Sequence, residues 1–197
     1  MIAWINFAFL IFSSLFLLYF YIKSVSPAAL EKVYGPGAYA RCGRYRVVAM
    51  VFEFITVINY VVYYFYPLPI PFPEAFPWSR WISIVIAAAI LLPSGYLMVK
   101  GMIDAGAEAV APKKEHKMYG GIYEKIRHPQ AAGEVFLWWV VAFFLHSPFL
   151  VIVSFIYVPI FMMMCEAEEH DLVLRFGESY VDYHRRTGAY FPRRQRS

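Results

Sequence analysis

The sequence predicts an all-α integral membrane protein with five transmembrane helices, the last two forming a short helical hairpin, followed by a cytoplasmic C-terminal amphipathic helix. Three observations predict it. The 197 residues are 60% hydrophobic and only 16% charged, too little polar surface for a soluble domain of that length. Residues 1–22, 81–99 and 135–165 contain no Asp, Glu, Lys or Arg. Counting crossings through these stretches gathers nearly all basic residues on one side.

The first span is Ile2 to Ile22. No basic stretch precedes it and no small-residue cleavage site follows, so it reads as a retained span rather than a signal peptide. The second, Val47 to Tyr66, includes Glu53 and Asn59 and stops at the proline-rich loop 67–77, PLPIPFPEAFP, whose prolines cannot continue a helix. Trp81 to Val99 is the third, just long enough at 1.5 Å per residue for a hydrocarbon core of about 30 Å. The charge-free run 135–165 is too long for one crossing. His146, Ser147 and Pro148 interrupt it, so two shorter helices joined by a tight turn fit better.

With five crossings, every lysine and arginine except Arg80 falls on one side. The positive-inside rule then puts the N-terminus outside and the C-terminus in the cytoplasm. A single helix over 135–165 would strand the C-terminal arginines on the other side. Beyond Cys165, Leu172, Val173, Phe176 and Tyr180 recur at helical spacing, which predicts a surface helix with Gly177 as its break.

Other chemistries find no support. Cys42 and Cys165 are too few for a disulfide framework. Histidines 116, 128, 146, 170 and 184 lack zinc-binding spacing, so no metal is expected. No glycine-rich phosphate loop lies between a strand and a helix. The positive charge is explained by topology, so no nucleic-acid partner is expected.

The polar clusters admit two readings each. Arg127, His128 and Pro129 can be a lipid-phosphate anchor opening a helix, or part of a pocket. Glu166, Glu168 and Glu169 can be a solvated helix segment, or one can turn inward to bind a cation; the phase of the helix decides which. Glu134 and Glu53 lie within apolar helices and must snorkel, pair or line a cavity. Arg185 and Arg186 with Tyr180, Tyr183 and Tyr190 suit anionic headgroups.

Together these parts resemble a known family. GGIYEKIRHP, then EAEEHDLVLRFGESYVDYHRRTGAYFP beyond the charge-free run, is similar to the membrane-embedded methyltransferases of the isoprenylcysteine carboxyl methyltransferase and phospholipid methyltransferase superfamily. The matching positions are Gly121, Tyr123, Arg127, His128, Pro129 and Gly133, then Glu168, Glu169, Leu172, Phe176, Gly177, Tyr180, Tyr183 and Arg186. Where the family commonly has a tyrosine two residues after the proline, this chain has Ala131.

The three N-terminal spans over 1–100 carry no signature of the family, and the resemblance implies a cofactor-binding module within 101–197, made of a loop, the hairpin 130–165, a helix and a basic tail. It implies an S-adenosylmethionine site built without a Rossmann fold, from Tyr123, His128, Pro129, Gly133, Glu168, Glu169 and Tyr183, and a lipidic acceptor drawn from the membrane. Methyl transfer from a sulfonium is an in-line displacement that demands alignment, and aromatic faces suit the cation. Arg127 and Arg186 would orient an anionic acceptor such as a prenylcysteine carboxylate. Glu134 would take the proton from an amine acceptor such as phosphatidylethanolamine. Two alternatives stay open: an NADPH-dependent membrane reductase related to sterol reductases, and a non-enzymatic membrane scaffold.

Overall fold

The structure is a computed structural model that describes residues 1–114 and 120–193. His116 and the terminal Arg194 and Arg196 lie outside the described residues. Among the described residues eight α-helices follow in order: α1 (Ile2–Ser24), α2 (Pro27–Tyr34), α3 (Ala38–Phe65), α4 (Arg80–Ala105), α5 (Pro129–Phe144), α6 (Pro148–Ser154), α7 (Tyr157–Phe176) and α8 (Glu178–Arg186). Four stretches, 2–24, 27–65, 80–109 and 148–176, are long and apolar enough to cross a bilayer, which fits an integral membrane protein. Helix α5 is equally apolar but has 16 residues, roughly 24 Å at 1.5 Å per residue.

Boundaries differ from expectation at polar ends. Helix α3 starts nine residues before Val47, so Arg41, Arg44 and Arg46 are helical. A short helix, α2, precedes it. Its first free N–H groups, Ala28 and Ala29, donate to the Asp171 carboxylate at 3.2 and 2.9 Å. This long-range cap comes from α7, so no local pattern announces it. Helix α7 runs unbroken past Cys165, carrying Glu166, Glu168 and Glu169 on the same rod as the apolar residues before them.

Two packings organise the bundle. Helix α1 presents Phe9 and Phe12 outward, Leu10, Ser13 and Leu17 inward, and Ser14 to α7, where its hydroxyl lies 2.9 Å from Tyr157 OH. Polar side chains knit α1 to α3: Asn6 Nδ2 donates to the Asn59 carbonyl (3.0 Å), and Thr56 Oγ1 to Ser13 Oγ (2.8 Å). Such bonds contribute about 0.6 kcal/mol each between membrane helices.

Helix α4 lays Ser94 and Gly101 against α5, and the approach is closest at Gly133. A β-carbon there would sit 2.3 Å from the Ser94 carbonyl oxygen, so only glycine fits. The expectation that Gly133 lines the cofactor pocket therefore has a packing role beside it.

The chain reverses after α5. His146 takes φ 58° and Ser147 Oγ accepts from Leu150 N–H (3.3 Å), opening α6 at Pro148. The return run is antiparallel to α5: Trp138 stacks on Tyr157 with ring centroids 3.9 Å apart, while His128 at the start of α5 meets Glu169 near the end of α7. Gly177, at φ 58°, then ends α7 and turns α8 back over the start of α5.

Candidate active site

Arg127 and His128 immediately precede α5 and are fixed by backbone as well as side chains. Arg127 N–H donates to the Gly188 carbonyl (2.9 Å) and His128 N–H to that of Ala189 (3.0 Å), so the segment after α8 is clasped to the start of the hairpin. Arg127 Nε donates to Glu169 Oε1 (2.7 Å), and its Nη1 donates to the carbonyls of His184 (3.1 Å) and Thr187. His128 Nε2 lies 2.7 Å from the same carboxylate oxygen, and His184 Nε2 3.1 Å from the other. Glu169 thus gathers an arginine and two histidines from two separate segments, 127–128 and α8.

Helix phase, undecidable from sequence, is settled by these contacts. Glu166 is exposed, and Glu169 is occupied by Arg127, His128 and His184. Glu168 lies 3.6 Å from His128 Nδ1 and faces a recess. Burial disfavours a charged His128 imidazole, but hydrogen bonds with Cys165, Glu168 and Glu169 outweigh it and hold its pKa well above the ordinary value.

The recess is narrow, with about 40 Å³ open to water, and Tyr21, Arg46, Glu108, Tyr123, Gln130 and Glu168 are among its walls. Ala131 lines it too, so the missing tyrosine falls on the recess itself. Tyr123 is held from both sides: Gln130 Nε2 donates to its hydroxyl (2.9 Å), and the hydroxyl reaches the Gly101 carbonyl (3.3 Å). Tyr183 OH donates to the Tyr123 carbonyl at 2.7 Å, and burial pushes that phenol up to about 12, so it stays a donor.

The far wall is a clasp absent from the sequence reading. Buried Glu108 accepts both Arg175 Nη1 and Nη2 at 3.0 Å, and its other oxygen accepts Lys113 N–H (2.9 Å). Arg46 Nη1 donates to the carbonyls of Glu108 (2.9 Å) and Ala109 (3.0 Å). The loop after α4 is thereby pinned over α3 and α7. Arg46 alone carried a local signal, standing directly before an apolar run at the level of the other basic residues.

The other expected residues are dispersed. Pro129 is fully buried as the first residue of α5. Glu134 sits one turn deeper, where its electrostatic neighbours include Glu53 of α3. Arg186 is exposed on α8.

What fold and site define is a helical membrane protein with a charged recess at one end of its bundle, built from helix ends and the segments beside them. Residues 82–179, about half of the chain, match the family model for phospholipid methyltransferase, and the chain belongs to that family within the wider group of membrane methyltransferases. The match spans α4 to the first turn of α8, and so includes Tyr123, Arg127, His128, Glu168 and Glu169. No curated protein and no solved structure matches the chain.

Proposed function

We propose that this protein is an S-adenosylmethionine-dependent methyltransferase that modifies a lipidic acceptor from the cytoplasmic face. Family membership carries the methyl-transfer reading. The observation that carries the site is the division of labour between neighbouring glutamates: Glu169 is consumed by Arg127, His128 and His184, while Glu168 opens on a recess walled by Tyr21, Tyr123 and Arg46.

This donor set fits the cofactor. Glu168 offers a carboxylate to an ammonium, Arg46 a guanidinium to a carboxylate, and the tyrosine rings suit a sulfonium. Bound there, S-adenosylmethionine supplies an activated methyl group. Arg127 acts as a positioning residue, because its donors are engaged by Glu169 and backbone carbonyls. It holds Glu169, which in turn orients His128. Gln130 and Tyr183 lock Tyr123 as a wall. Glu134, one turn beyond Ala131, takes in its ionised form the proton released by an amine acceptor. Arg186 is left free to meet an anionic group on the acceptor.

In this reading α5 is the fourth crossing and α6 with α7 the fifth, with the N-terminus outside. The basic residues support that orientation, since among the described ones only Arg80 lies at the other end. The first hundred residues face the acceptor, the rest hold the cofactor, and Tyr21 and Arg46 reach across from the first part.

The test is transfer of labelled methyl from S-adenosylmethionine into the lipid fraction of nanodiscs holding the full-length protein. Time-dependent label that disappears in His128→Ala, with the fold kept, is the expected result. Absence of transfer to phospholipid or prenylcysteine acceptors alike would refute the reading.

A further inference from the structure

Arg46 reaches the polar recess from α3, and every hydrogen bond it makes there goes to a neutral oxygen. Its Nη1 donates to the backbone carbonyls of Glu108 (2.9 Å) and Ala109 (3.0 Å), and its Nε to Ser24 Oγ (3.4 Å). Among the described residues no ion pair includes Arg46. Neutral acceptors orient a guanidinium without cancelling its charge, so Arg46 keeps that charge for an anion entering the recess. The Tyr21 ring, another wall of the recess, lies 5.9 Å from the same guanidinium.

The two carbonyls that aim Arg46 belong to the loop after α4, and the Glu108 side chain fixes that loop. It is 4% exposed. One of its oxygens accepts both terminal nitrogens of Arg175 at 3.0 Å, which ties the loop to α7. The other accepts Lys113 N–H at 2.9 Å, which folds the loop back on itself. Arg175 is held in turn: its Nη2 donates to the Lys113 carbonyl (2.7 Å), and its guanidinium lies 5.7 Å from the Tyr39 ring and 5.3 Å from that of Phe176. Two arginines thus meet one glutamate in different ways. Arg175 takes the carboxylate, and Arg46 takes the peptide oxygen. The reverse pairing would neutralise Arg46, whereas this one leaves a positive charge beside the carboxylate of Glu168 in the same recess.

We propose that Glu108 is a positioning residue for the carboxylate at the amino-acid end of the cofactor. Clamped by Arg175 and Lys113, it sets the two carbonyls that hold Arg46 oriented and charged, and it acts through Arg46. The inference rests on the methyltransferase reading, which supplies the ligand.

The test is isothermal titration of the full-length protein in nanodiscs with two ligands, S-adenosylhomocysteine and its carboxamide, in which a neutral amide replaces the carboxylate and the ammonium stays. The ratio of their dissociation constants reads the contact to the carboxylate and cancels any general loosening of the site. The unaltered protein should favour the carboxylate ligand by roughly tenfold or more. Arg46→Gln should bring the ratio to within about twofold of one. Glu108→Gln keeps size and an acceptor but removes the charge that Arg175 grips, and should cut the preference by roughly threefold or more. Added to Arg46→Gln, it should change the ratio by less than about twofold, because a residue that acts through Arg46 then has nothing to act on. Arg175→Lys keeps the charge and loses the two-nitrogen grip; it should shift the ratio the same way, and it carries the test if Glu108→Gln fails a thermal melt.

A ratio unchanged in the folded Glu108→Gln or Arg175→Lys protein, with both ligands weakened alike or neither, would overturn the proposal and leave Glu108 a structural clamp. A further fall of the ratio in the double variant would overturn it too. No binding of either ligand to the unaltered protein would remove the cofactor reading itself, and the proposal with it. Binding without preference for the carboxylate would keep that reading and remove the role of Glu108 alone.

Discussion

Two histidines stand at helix-opening prolines in this chain, and their fates differ. His128 directly precedes Pro129 of α5, and His146 stands two residues before Pro148 of α6, at the opposite end of the hairpin. His146 meets a hydroxyl and aromatic rings: its Nδ1 lies 2.8 Å from Ser83 Oγ, and its ring is edge-on to Phe76. Ser83 in turn accepts from Trp78 Nε1 at 3.0 Å, so the cluster ties the proline-rich loop to the bundle. His128 meets two carboxylates and an arginine beside a recess. The same residue type at the same kind of helix start closes a turn at one end and builds a charged site at the other. The difference lies in what the partner helix supplies, and α7 supplies Glu168 and Glu169.

The comparison breaks most sharply at Glu169. Glu169→Ala leaves Arg127 and His128 without their carboxylate, and removing one partner of a largely buried pair costs about 3 kcal/mol. A thermal melt in detergent should show that loss, whereas Glu166→Ala, an exposed neighbour on the same helix, should change the melt by less than about 0.5 kcal/mol. Equal effects would dissolve the distinction between the two glutamates.

Packing gives the next effect. Gly133→Ala forces a β-carbon onto the Ser94 carbonyl and should cost on the order of 2 kcal/mol through separation of α4 and α5, read by the same melt. A neutral result would mean that the helices part without strain.

The pH dependence is smaller and has a definite sign. His128 has a pKa raised above its unfolded value of about 6.5. Its charged contacts therefore contribute fully below that pH, and the contribution is lost as pH rises through the folded value. Melting temperature should decline on the alkaline side, and His128→Asn should flatten that part of the profile. An unchanged profile in the variant would assign the decline to other groups.

At the far end, His146→Ala removes a hydrogen bond to Ser83 and should cost about 1 kcal/mol. Cofactor binding should be untouched, and a loss of binding there would show that the two ends are coupled.

Much of the architecture was legible because its signals are local. Charge-free runs mark apolar helices, the prolines after Tyr66 end α3, and His146–Ser147–Pro148 marks the reversal. Arg127, His128 and the glutamates after Cys165 stood out as short motifs, but that Glu169 pairs with Arg127 and His128, and which glutamate faces where, needed coordinates. What stayed hidden is contributed at long range. Asp171 caps α2 from the other end of the chain. Glu108 takes its arginine from α7 and holds Arg46 through its carbonyl. Such partners leave no periodicity behind, and an isolated glutamate in a loop looks like any solvated residue. Gly133 shows the opposite failing: a motif position read as pocket chemistry also serves as the contact point of two helices.

The most direct measurement is isothermal titration of the full-length protein with S-adenosylhomocysteine, repeated with Glu168→Gln and Glu166→Gln. A cofactor site built on Glu168 gives saturable binding that Glu168→Gln weakens at least tenfold and Glu166→Gln leaves within twofold. Binding equally indifferent to both substitutions, or none at all in a correctly folded sample, would contradict a cofactor site built on Glu168.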